Sequence, residues 1–99
     1  MKVFFVVEKT SYGEQYINSV HMTEKGAVQS SILYMYDHYN AYGFDGDHAL
    51  RTYFEEIYDK IEHDEEIPMN ELNKSYNWLL DACENVDYVI VIEERILKP

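Results

Sequence analysis

The chain has 99 residues, 19 of them acidic and 8 basic, for a formal net charge of −11. That field repels nucleic acid phosphates and anionic membrane surfaces, so direct binding to either is not expected, whereas basic surfaces are attracted. Apolar residues make up 46% and aromatic residues 15%, enough for one core without staples, and one compact domain over 1–99 is the expectation. A lone cysteine, Cys83, offers no internal disulfide. The apolar start Val3-Phe4-Phe5-Val6-Val7 is cut off by Glu8, short of a signal peptide or a membrane span. The cytoplasm of a bacterial host cell is the expected location.

In chain order, Lys2 to Lys9 carries that β-branched and aromatic run, too short for a helix, and reads as a buried strand. Ser11-Tyr12-Gly13 supplies turn chemistry. From Gln15 to Met22 the residues Tyr16, Asn18 and Val20 alternate with Ile17, Ser19 and His21, as in an edge strand returning from a hairpin. Thr23 before Glu24 is an N-cap with a first-turn acid. In the helix that follows, Val28, Ile32, Met35 and Tyr39 recur at helical spacing, and Leu33, Tyr34 and Tyr36 widen the apolar surface. This helix is therefore either covered on more than one side or a contact surface itself.

Gly43 and Gly46 mark a loop between Asn40 and Gly46, and Asp47 can cap a second helix. There Leu50, Phe54, Ile57 and Ile61 fall in a narrow arc, the clearest amphipathic pattern in the chain. It fades near Asp64, ahead of Pro68. A third helix starts at Asn70 or just before it, with Met69, Leu72, Tyr76, Leu80 and Cys83 as its core stripe and Asn85 as a stop. Tyr88-Val89-Ile90-Val91-Ile92 is a second continuous apolar strand. The order ββαααβ predicts an α+β fold: a three-stranded antiparallel or mixed sheet, ordered 2-1-3, with three helices packed on it.

Opposite the apolar arc of the second helix lie Glu55, Asp59 and Glu62, with Glu56 beside them. Asp45 and Asp47 precede this row, and Asp64, Glu65 and Glu66 continue past its end. Spacings of three and four residues separate neighbouring carboxylates by roughly 4.5 to 6 Å along a helix axis. Duplex DNA carries one charge per ~1.7 Å of axis, so the geometry permits mimicry of a nucleic acid backbone. Like charges at these spacings cost a few tenths of a kcal/mol per pair, and Lys60 is almost the only relief nearby. The plain alternative is a solvated helix face.

Trp78 lies off the stripe of the third helix, on the side of Glu71, Ser75 and Ala82. It is either an exposed contact residue, a role in which tryptophan is enriched, or a core residue reached by a neighbouring element. Ten tyrosines also suit a contact surface, with Tyr34, Tyr36, Tyr42, Tyr53 and Tyr58 least explained by the core stripes.

Other chemistry finds little support. Asp45-Gly46-Asp47-His48 and the Asp59, His63 pair offer ligand types but match neither an EF-hand loop nor a zinc helix. His21, His38, His48 and His63 make no zinc pattern with one cysteine. Cys83, beside Asp81 and Glu84, stands where its thiol pKa would rise, and no serine has a nucleophile-elbow context. No enzyme, cofactor or metal is expected.

In size, acidity and the run Glu55, Glu56, Asp59, Glu62, Asp64, Glu65, Glu66, the chain resembles the small inhibitors encoded by bacteriophages and mobile elements, among them anti-CRISPR proteins and other DNA mimics. The resemblance implies a non-enzymatic protein that blocks a basic, nucleic-acid-handling partner such as a CRISPR effector. The partner-binding candidates are Asp45, Asp47, Glu55, Glu56, Asp59, Glu62, Asp64, Glu65, Glu66 and Trp78. An immunity protein or antitoxin against a basic nuclease is a close relative of this reading. A homodimer or larger assembly built on the first helix and its aromatics is the alternative.

Overall fold

A computed structural model describes residues 1–39, 48–82 and 88–97. The elements run β1 (Lys2–Thr10), β2 (Gln15–His21), α1 (Glu24–Tyr39), α2 (His48–Glu62), α3 (Met69–Ala82) and β3 (Tyr88–Ile96). The three strands form one antiparallel sheet ordered β2-β1-β3. This is the expected α+β architecture. β3 runs four residues beyond its apolar stretch because Glu93, Glu94 and Arg95 continue the ladder with β1, opposite Phe5, Phe4 and Val3.

Pairing of β1 with β2 is interrupted between Val6 and Val7, where Ser19 and Ile17 are the successive partners and Asn18 is the extra residue of a β-bulge. The simple alternation expected for β2 is thereby corrected. Tyr16, Ser19 and His21 stand beside Glu8, Val6 and Phe4 on one face, and Ile17 and Val20 share the other with Val7 and Phe5.

The first face carries the helices. α1 lies across all three strands and also packs on α3 and α2. It is covered on more than one side, which accounts for its wide apolar surface. Ala27, Val28, Ile32 and Met35 of α1 form the core with Val6, Ile90, Phe54, Ile57, Ile67, Leu72 and Leu79. Thr23 caps α1 through its Oγ1, which accepts from the Gly26 amide at 3.0 Å. Gly26 fits because a Cβ there would stand 3.1 Å from that same Oγ1. Thr23→Ala is expected to cost about 1 kcal/mol in urea unfolding.

The start of α3 is fixed from both sides of its cap. The Pro68 carbonyl accepts from the amides of Glu71 and Leu72, while Ile67, just before the cap, and Leu72, one turn into the helix, are both fully buried. That is the hydrophobic-staple arrangement, and it explains a core residue, Ile67, that helical periodicity does not reach.

The buried axis of α3 differs from the expected stripe. Leu72, Ser75 and Leu79 are fully buried, while Met69, Tyr76 and Leu80 pack at its margin. At ~100° per residue the burial centre is rotated roughly 70° towards Ser75, away from the Tyr76 side. Cys83 lies outside the described residues. Small buried residues, Ala27 and Ser31 on α1 and Ser75 on α3, suit the close packing of these two helices. Ser31 Oγ donates to the Ala27 carbonyl at 2.8 Å, but Ser75 Oγ is buried without a hydrogen-bond partner. Ser75→Ala should therefore leave stability unchanged or raise it by up to about 1 kcal/mol, because the hydroxyl loses water and gains nothing. A loss of more than that in thermal unfolding would show that the hydroxyl is satisfied after all.

Candidate functional site

The carboxylates of α2 reach solvent because Phe54 and Ile57 anchor its opposite side, at 1% and 2% exposure. Glu55, Glu56, Asp59 and Glu62 are all exposed on the outer side, and Asp64, Glu65 and Glu66 follow, exposed as well. Asp45 and Asp47 lie outside the described residues. The ion pairs among the described residues are Lys2–Glu94, Lys9–Glu93, Arg95–Glu93 and Lys25–Glu66. Of the acidic row, only Glu66 takes part in one of them.

The row turns at the end of α2 through a Schellman-type cap. The Glu65 amide donates to the Lys60 carbonyl at 2.9 Å and the Asp64 amide to the Ile61 carbonyl at 3.2 Å. Asp64 occupies the left-handed position of this cap, at φ 59°, a site that glycine or asparagine fills at lower cost. Aspartate and asparagine are among the non-glycine residues that adopt this conformation most readily, so Asp64 meets a local requirement of the cap.

Tertiary packing adds a carboxylate that spacing along one helix could not reveal. Asp37 of α1 accepts from the Tyr58 hydroxyl of α2 at 3.3 Å, and the rings of Tyr36 and Tyr58 stack with centroids 4.9 Å apart. Glu62 acts on the same hydroxyl from the α2 side. Loss of hydration, then the hydrogen bond and charge of Asp37, then Glu62, push the Tyr58 pKa up from 10.0 to about 12. The shift favours the neutral phenol, so its contribution to stability is complete below the ordinary tyrosine pKa and disappears as pH rises through about 12. A spectrophotometric titration should show a late phenolate that Tyr58→Phe removes. Glu62→Gln should bring it earlier.

Trp78 is exposed at 46%, so the core alternative for it is set aside. It lies one turn from Lys74, whose ammonium is 5.8 Å from the centre of the Tyr53 ring on α2. Trp78 and Lys74 thus share one side of α3, the side from which Lys74 reaches towards Tyr53. Ser75, assigned by spacing to the Trp78 face, is buried instead. The other aromatic candidates are engaged within the chain. Tyr34 donates to Glu8 at 2.8 Å and packs on His38, Tyr36 lies on Tyr58, and Tyr53 meets Phe54 edge-on. Tyr42 lies outside the described residues.

An open groove of about 310 Å³ between α1, α3 and the sheet is lined by Phe4, Glu24, Val28, Asn73, Tyr76, Ile92 and Glu94. Its one phenol, Tyr76, already donates to the Ile90 carbonyl at 3.0 Å. Burial holds that phenol's pKa above its usual value. Among the described residues no group of three or more His, Cys, Asp or Glu side chains could hold a metal ion, and no helix is long and apolar enough to cross a membrane. In comparisons with known proteins, no family model, curated protein or solved structure matches the chain.

Proposed function

We propose that this protein is a non-enzymatic inhibitor, of the kind phages and mobile elements encode, that presents the α2 ridge to a basic, nucleic-acid-handling protein such as a CRISPR effector. The observation that carries this reading is the continuous exposure of Glu55, Glu56, Asp59, Glu62, Asp64 and Glu65 outside the ion pairs of the described residues. A row of like charges outside the described ion pairs lowers stability. A partner's cations can recover that energy. The added Asp37 points the same way.

On this reading the carboxylates occupy a channel meant for phosphates, and Trp78, exposed on α3, supplies an apolar contact. Binding is then stoichiometric, weakens steeply with salt, and excludes nucleic acid from the partner. The test is a titration of a guide-loaded CRISPR effector with the purified protein at low and high salt, with duplex target DNA as competitor. Association that ignores both salt and DNA would remove the basis for a mimic.

A further inference from the structure

We propose that the sheet face opposite the helices is a self-association surface, on which a second copy of this chain packs sheet to sheet about a twofold axis. This face is distinct from the acidic ridge, and the inference does not rest on the function proposed above.

The strands themselves supply the first reason. A strand with one wet face alternates apolar and polar residues, whereas continuous apolar runs belong to strands covered on both faces. Val3-Phe4-Phe5-Val6-Val7 and Tyr88-Val89-Ile90-Val91-Ile92 are runs of the second kind, yet among the described residues helices pack on one face only. Phe4, Val6, Ile90 and Ile92 meet the helical core. Register puts Val3, Phe5, Val7, Val89 and Val91 on the other side with Ile17 and Val20. Val3 and Val7 on the central strand are buried within the monomer, and the exposed apolar side chains lie on the two edge strands, Ile17, Val20 and Val89 at 64%, 53% and 44%. Phe5, Val7, Gln15, Ile17, Glu93 and Arg95 line a shallow groove of about 380 Å³ there. The bulge at Asn18 is what brings Ile17 and Val20 onto this face together.

Charge selects the occupant. In a chain of net charge −11, the described strand residues of this face carry two cations, Lys9 and Arg95, and one carboxylate, Glu93. Lys9 Nζ and Arg95 Nη2 lie 3.4 and 2.8 Å from the Glu93 oxygens. The Arg95 hydrogen bond, and then that of Lys9, hold the Glu93 carboxyl below its usual pKa, so the cluster stays ionised at neutral pH. Two copies meeting through their acidic helices would repel. Meeting through this face, two copies bring together apolar side chains and Glu93 carboxylates already paired with their own Lys9 and Arg95, so no acidic excess opposes the contact and the same patch serves both copies, as an isologous contact requires. Two cations on an apolar sheet are too few for a nucleic acid or an anionic membrane.

Three strands of about nine residues give a footprint of roughly 30 by 14 Å, or on the order of 400 Å² per copy. That is the scale of a reversible contact rather than an obligate dimer.

Sedimentation velocity from micromolar to millimolar protein is therefore expected to show a monomer–dimer equilibrium that persists at high salt, since salt screens the repulsion between acidic copies. Ile17→Lys and Val89→Lys, on opposite edge strands of the same face, should each weaken it by about tenfold or more. Trp78→Ala should leave it unchanged. Isotope-filtered NOEs in a half-labelled sample, which need no substitution, should connect Ile17 or Phe5 with Val89 or Val91 across the twofold. A monomer at every concentration, a dimer that dissolves in high salt, or a dimer without these NOEs would overturn the proposal.

Discussion

Exchanging Glu55, Asp59 and Glu62 together for lysine is expected to reduce association with a basic, nucleic-acid-handling partner by several orders of magnitude and, at low salt, to make the free protein more stable. The two effects come from the same electrostatics with opposite signs. Without a partner, the three carboxylates repel each other at helical spacings of three and four residues and find no cation among the ion pairs of the described residues. Three lysines at these spacings repel one another as the carboxylates did, so the gain comes from a net charge that falls from −11 to −5 over three reversals of two units each, and from Glu56, which acquires a cation three residues on at position 59. With a partner, each reversal replaces attraction by repulsion across the interface, and like-charge juxtaposition there costs several kcal/mol. Binding should fail through the association rate first. Thermal unfolding at low and high salt, beside binding to a CRISPR effector, separates these outcomes. A variant that binds as the original does would reduce the ridge to solvated surface. One that loses stability at low salt would show that the row is paired internally.

Phe54→Ala is expected to cost about 3–5 kcal/mol, a large part of the stability of a domain this size. Phe54 is among the largest fully buried side chains, meets Tyr53 edge-on at 5.3 Å, and with Ile57 fixes α2 to the core beneath the acidic row. Around α2 the main described helix contact is with α1, so few other groups can compensate for the cavity. Urea unfolding should show a lower midpoint with an unchanged slope. The loss should also move the ridge, so partner binding falls although no charge has changed. A cost below ~1 kcal/mol would mean that α2 is held by other contacts.

Much of the fold was legible because the signals were local. The two β-branched runs, the Thr23 cap and the narrow arc of Phe54, Ile57 and Ile61 each depend on neighbours within a few residues. That arc also fixes its complement, which is why Glu55, Glu56, Asp59 and Glu62 could be assigned to the outer face and are exposed there. The third helix was less legible, because Leu72, Ser75 and Leu79 form its buried axis only through α1. A serine at a tight helix crossing looks polar in sequence and behaves as a small core residue in place. Ile67 was missed for a related reason: it precedes its helix and is buried by the cap.

By itself, the sequence determined the order of elements, the α+β class, the central place of β1 and the acidic outer face of α2, since each follows from periodicity and short-range chemistry. Tertiary structure alone decided which groups from different elements meet. Asp37 joins the ridge by accepting from Tyr58, Tyr34 turns inward to Glu8, and Glu66 leaves the row to pair with Lys25. It also decided which β2 side chains face the helices, because one extra residue, Asn18, shifts the register and places Ile17 and Val20 together on the side opposite the helices. Pairing across distant segments is set by packing and register, and neither is written in the spacing along a single strand or helix.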